Sequence, residues 1–179
     1  MLNPEPSRDF GRTGGEIAMV GGNAPTLGGS LTLERDPIMW TELVTALPGL
    51  AAFQPPASEA SLDRCASVLG HPLPQDLGAL LRQSNGIEGE YGDGLIWSVE
   101  RIASENLTLR EDSELATLYM PFDSLLFFAD AGNGDLFALL PRIRRPDVFV
   151  WNHEDDSRTW VAPNLATYLE WWLTGRITL

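Results

Sequence analysis

The stretch LLFFADAGNGDLFALL, residues 125–140, sets an acidic and glycine-rich knot between two strongly apolar runs. A calcium loop would need oxygen ligands at its first, third and fifth positions. Here those positions hold Asp130, Gly132 and Gly134, so the pattern fails. A phosphate loop of the GK[ST] kind requires a lysine, and the chain has none: all twelve basic residues are arginine. A dinucleotide fingerprint requires a helix after the glycines, where this sequence returns to an apolar run suited to a strand. What remains is a hairpin turn. In it glycine and asparagine supply positive φ, Asp130 and Asp135 accept backbone donors, and Phe128 and Phe137 stand in the flanking strands.

Nucleophilic catalysis is equally poorly supplied. The two histidines are His71, in the proline turn GHPLP, and His153, in a polar hairpin that suits a solvated loop residue. Neither is embedded in a catalytic motif. The single cysteine, Cys65, has no internal partner for a disulfide and no second thiolate for zinc; its apolar spacing makes it a core residue. No catalytic residue, metal ligand or cofactor is therefore assigned, and an enzyme is disfavoured.

Charge is the more informative chemistry. The chain carries a net charge of −13, and between Glu88 and Asp156 fifteen acids face five arginines, a local net of −10. So acidic a chain repels nucleic-acid phosphates, and a basic protein partner suits it better. Glu88, Glu90, Asp93, Glu154, Asp155 and Asp156, with Tyr91 beside them, fall in loops and form the expected partner-binding set, with their carboxylates exposed. Two readings stand for these acids: a solvated surface kept soluble by charge, or an electrostatic docking face that speeds association.

The elements that position these loops follow from periodicity. Residues 1–35 are glycine-rich without a sustained period and read as a flexible leader; residues 36–179 form one domain. The N-terminus lacks the apolar core of a secretory signal and no apolar run reaches membrane-spanning length, so a cytoplasmic protein is expected. Asp36 and Pro37 open a first helix with Trp40, Leu43, Val44 and Leu47 inward, stopped at Pro48-Gly49. Ser58 caps a second, with Leu62, Cys65, Ala66 and Leu69 as its stripe and Gly70 as its end. Leu73-Pro74 opens a third, burying Leu77, Leu80 and Leu81 and closing at Ser84-Asn85-Gly86. LIWSVERI alternates as a strand, and ASENLTLRED turns helical before a polar loop. LLFFAD, DLFALL, VFVWN and RTWVA read as an antiparallel meander. Pro163 then starts a helix carrying Leu165, Tyr168, Leu169, Trp172 and Leu173. The fold class is α+β, a mostly antiparallel sheet with N-terminal helices and a C-terminal helix packed on it.

This order of segments resembles the SUKH superfamily, which includes bacterial immunity proteins and relatives of a fungal cell-wall-synthesis regulator. The likeness runs over residues about 37 to 179: LPQDLGALLRQSNG, then LIWSVERI, FFADAGNGDLFALL, VFVWNHEDD and NLATYLEWWL. Asn85, Gly86, Gly134, Asp135 and Trp151 fall on its fold-signature positions, which are not a toxin site. The resemblance implies a non-enzymatic bacterial immunity protein that binds a cognate toxin, one acting on nucleic acid, and occludes its active site. The alternative it implies is a regulatory protein-interaction module of the same fold.

Overall fold

Ser58 is extended and its side chain accepts the Ser61 N–H at 3.1 Å, so helix α2 (Glu59–Leu69) starts where a hydroxyl satisfies a backbone donor that has no partner within the helix. It stops at Gly70, whose φ of 74° is the left-handed turn that a side chain resists. The computed structural model of the chain describes residues 38–49, 51–90, 92, 94–143 and 145–179; the expected leader of residues 1–35, and Asp36 and Pro37, lie outside the described residues.

Within these residues the helices are α1 (Trp40–Thr45), α2, α3 (Gln75–Leu81), α4 (Val99–Glu111), α5 (Leu115–Leu118) and α6 (Leu165–Leu173). The strands are β1 (Ala52–Phe53), β2 (Ile87–Glu88), β3 (Gly94–Ile96), β4 (Leu126–Asp130), β5 (Leu136–Leu139), β6 (Val148–Trp151) and β7 (Arg158–Ala162). They form two antiparallel sheets, β1-β2-β3 and β4-β5-β6-β7. The Trp97 N–H donates to the Phe128 carbonyl at 2.8 Å and joins the end of one sheet to the other. The α+β expectation holds, and the four-stranded meander has the expected order.

The expected inward stripes supply the core. Trp40 and Val44, Leu62, Cys65 and Leu69, Leu77, Leu80 and Leu81 are all buried, as are Leu165, Tyr168 and Leu169. Phe127, Phe128 and Phe137 of the sheet are fully enclosed. Tyr168 of α6 meets Phe128 and Phe137 at ring-centroid distances of 5.3 and 4.7 Å, within the range of favourable aromatic pairs.

The structure corrects three expectations and adds elements that none of them covered. LIWSVERI is not one strand: β3 ends at Ile96, and Ser98, extended and accepting the Arg101 N–H at 3.2 Å, starts a helix that turns Val99, Ile102 and Asn106 inward. Helix α3 ends at Leu81 rather than at Ser84-Asn85-Gly86, although Gly86 does take a φ of 106° as the chain enters β2. The last helix is capped by Asn164, whose side chain accepts the Thr167 N–H at 2.8 Å; Pro163 precedes that cap. The small sheet β1-β2-β3 and the one-turn α5 were not expected, because two-residue strands and a single turn carry too little periodicity to register.

Candidate protein-docking face

The β4–β5 hairpin is a turn, closed by the Ala131 N–H donating to the Asp135 carbonyl at 3.0 Å, with Gly132 and Gly134 at φ of 80° and 102°. Its two aspartates look opposite ways. The Asp130 carboxylate accepts the Trp97 indole N–H at 2.7 Å and pairs with the Arg101 guanidinium at 3.2 Å. The expected backbone donor is thus replaced by two side chains, because Asp130 ends β4 directly against the start of α4. Arg101 also lies over the Trp97 ring, 4.3 Å from its centroid. Sequence reasoning missed Arg101, since its partners are brought to it by tertiary packing.

Asp135 faces the other loop. It is 2% exposed and accepts the backbone N–H of His153 at 3.1 Å, the Asn133 amide at 3.0 Å and, at 2.7 Å, His153 Nδ1. Burial raises its pKa, but the His153 side-chain and backbone bonds and the Asn133 bond outweigh that, so the carboxyl titrates below the usual value. His153 is therefore no freely solvated loop residue. Its side chain is 41% exposed, yet one ring nitrogen is committed to Asp135 and the ring lies against Gly134, where an added Cβ would come within 3.0 Å. A His–Asp pair is two thirds of a nucleophile-activating triad, but among the described residues no hydroxyl or thiol is hydrogen-bonded to the other ring nitrogen.

The hairpin thereby joins the two acidic loops. On one side Gly94, which ends the β2–β3 loop, packs so closely that a Cβ there would meet Trp97 at 2.6 Å and the Asp130 carboxylate at 2.9 Å. On the other, His153 fastens the β6–β7 turn. Glu88, the last residue of β2, and Glu90, in the loop after it, are exposed, as are Glu154 and Asp155 in the β6–β7 turn. Of the expected set, Glu88, Glu90, Glu154 and Asp155 are exposed on segments that pack against this hairpin, and Tyr91 and Asp93 lie outside the described residues. Next to the first loop is an open cleft of about 540 Å³, lined among others by Pro55, Pro56, Glu88, Trp97 and Arg101.

Asp156 departs from the rest. Its side chain is only 15% exposed and accepts from the Trp151 indole at 2.8 Å, the Met120 N–H at 2.7 Å and Arg158 at 3.3 Å. Burial raises its pKa, but these bonds together lower it by more, leaving it below the usual aspartate value. With φ at 57°, the one non-glycine positive value among the described residues, Asp156 turns its carboxylate inward as an anchor of the turn, contrary to the exposure expected of it.

The fold-signature positions behave as joints. Asn85 accepts the Val99 N–H at 2.8 Å and donates to Glu100 at 2.9 Å, so it ties the turn after α3 to the start of α4. Gly86 runs so near β3 that a Cβ would lie 3.2 Å from the Ile96 carbonyl. Residues 56–171 match the sequence profile of the SMI1 / KNR4 family (SUKH-1), and the matched span contains both acidic loops and every joint between them. The chain belongs to the SMI1/KNR4 family (SUKH-1).

Members of the SUKH superfamily are protein-interaction modules and are generally non-catalytic. No curated protein matches the chain. Among the described residues no helix is long and apolar enough to cross a membrane, and no group of three or more His, Cys, Asp or Glu side chains is placed to hold a metal ion. In this SUKH-1 domain Glu88, Glu90, Glu154 and Asp155 are exposed beside a hairpin that Asp130 and Asp135 tie to its neighbours.

Proposed function

We propose that this protein is an immunity protein that binds a cognate toxin acting on nucleic acid and neutralises it by occluding the toxin's active site. The observation that supports the reading is the exposure of Glu88, Glu90, Glu154 and Asp155 on two segments that pack against the same β4–β5 hairpin, one through Gly94 and the other through His153. A site that holds nucleic-acid phosphates is lined with arginine and lysine, so an acidic surface held in a fixed shape competes for it on the phosphates' own terms. The net charge of −13 draws such a cleft in from a distance and disfavours direct binding to nucleic acid.

The test is co-expression with the product of the neighbouring gene as the candidate toxin. Growth should be restored by the wild-type protein, the two chains should co-elute as a complex, and nuclease or base-modifying activity of the toxin should fall in proportion to complex formed. Binding without loss of toxin activity would instead assign the regulatory interaction module, and no complex at all would remove the immunity reading for that pair.

A further inference from the structure

Two of the most water-averse side chains on the surface stand beside the β6–β7 turn. Leu118 is 69% exposed and Met120 is 55% exposed, the two highest values for large hydrophobic residues among those described. Tyr119 between them is extended, with φ −124° and ψ 158°, and its ring turns inward onto Trp151 at 5.1 Å and Phe122 at 6.1 Å. An extended residue sends its neighbours to the side opposite its own, so the half-buried tyrosine holds both apolar side chains out together.

This segment does not hang free. The Tyr119 hydroxyl donates to the His153 carbonyl at 2.8 Å, and the Met120 N–H donates to Asp156 at 2.7 Å. Arg158 donates to the Met120 and Pro121 carbonyls at 2.6 and 3.1 Å. Four bonds thus fix Tyr119, Met120 and Pro121, and with them the end of α5 that carries Leu118, to the turn that displays Glu154 and Asp155. Glu114, one helical turn before Leu118, adds an exposed carboxylate on the same side of α5. Arg158, the arginine of this segment, is held by carbonyls and by Asp156.

We propose that Leu118 and Met120 are the apolar anchors of the docking face, and that they seat in a hydrophobic socket of a protein partner whose rim is rich in arginine or lysine. Scattered single hydrophobic residues are ordinary on a surface, but an adjacent, rigidly held pair ringed by like charges has the make-up of an interface centre: apolar anchors whose ordering cost is already met, inside a polar rim. Charge complementarity selects the occupant, since Glu114, Glu154 and Asp155 repel an acidic partner and a second copy of this acidic chain alike. The proposal deepens the docking reading by placing its centre on the β6–β7 side. It rests on that reading for a basic partner and is independent of the toxin's identity.

The test uses two synthetic peptides of about 18 residues, one an amphipathic helix with leucines on one face and arginines on the other, the second with the leucines replaced by serine. Titration of isotope-labelled protein with the leucine peptide should shift the amide resonances of residues 114–120 and 152–158 first. The variant Leu118→Ser/Met120→Ser should bind that peptide at least about tenfold more weakly with an unchanged melting temperature, whereas Ile143→Ser, at another exposed hydrophobic site, should bind normally. The serine peptide should bind weakly and be indifferent to the double change. Shifts centred elsewhere, no binding of the leucine peptide, or affinity of the double variant within about twofold of wild type would overturn the proposal. If the candidate toxin fails to bind while the leucine peptide behaves as described, the toxin assignment falls and the anchor face stands.

Discussion

At the scale of single residues, Asp135 decides how the second acidic loop is held. It accepts from three donors of His153 and Asn133 while almost fully buried, so Asp135→Ala should cost about 1–3 kcal/mol in chemical denaturation by stranding those donors. Asp135 and Asp156 both titrate below their unfolded value of 3.8, held there against burial by the bonds they accept. A depressed carboxylate contributes stability that is present above the unfolded pKa and is lost as pH falls through the folded one. Stability should therefore drop steeply below pH 3.8, and in Asp135→Asn/Asp156→Asn that acid limb should be shallower; equal slopes in variant and wild type would contradict the assignment. Cys65 should behave oppositely. Burial, and to a lesser degree Glu100, raises its thiol pKa to about 11, so a thiol reagent at neutral pH should label it only after unfolding.

At the scale of elements, α4 is the part that ties the core to the face. Its buried Asn106 accepts the Phe127 N–H at 2.9 Å and donates to the Phe127 and Ile102 carbonyls at 2.7 and 2.8 Å, substituting for a neighbouring strand along β4. Asn106→Leu should lose on the order of 1–3 kcal/mol for each group of Phe127 left unpaired, read as a shifted denaturation midpoint. Helices α2, α3 and α6 were legible because Leu62, Cys65 and Leu69, or Leu165, Tyr168 and Leu169, repeat at helical spacing. The meander was legible from its apolar runs and its glycine turn. The start of α4 was not: Trp97-Ser98-Val99 continues an apolar alternation, and only the Ser98 cap, with Trp97 bonded across to Phe128, turns the chain into a helix. The candidate face was legible as a set of acidic loops. The roles of Asp156 as an inward anchor, of His153 as Asp135's partner and of Arg101 as Trp97's neighbour were not, because each depends on groups remote in sequence, such as Met120 for Asp156.

At the scale of the whole molecule, the acids divide into two kinds. Asp130, Asp135 and Asp156 hold the loops in shape, while Glu88, Glu90, Glu154 and Asp155 are displayed by them. Neutralising the displayed group should leave folding almost unchanged, since exposed carboxylates contribute little to stability, but it should remove the field that steers a basic partner. The most direct measurement is the association rate of the candidate toxin, the product of the neighbouring gene, with the wild-type protein and with Glu88→Gln/Glu90→Gln/Glu154→Gln/Asp155→Asn, at low and at high salt. The wild-type rate should fall steeply as salt screens the charges, and the variant should associate about tenfold more slowly at low salt with a flattened salt dependence. An unchanged rate with an unchanged salt slope would show that these acids only solvate the surface and that the face does not dock its partner through charge.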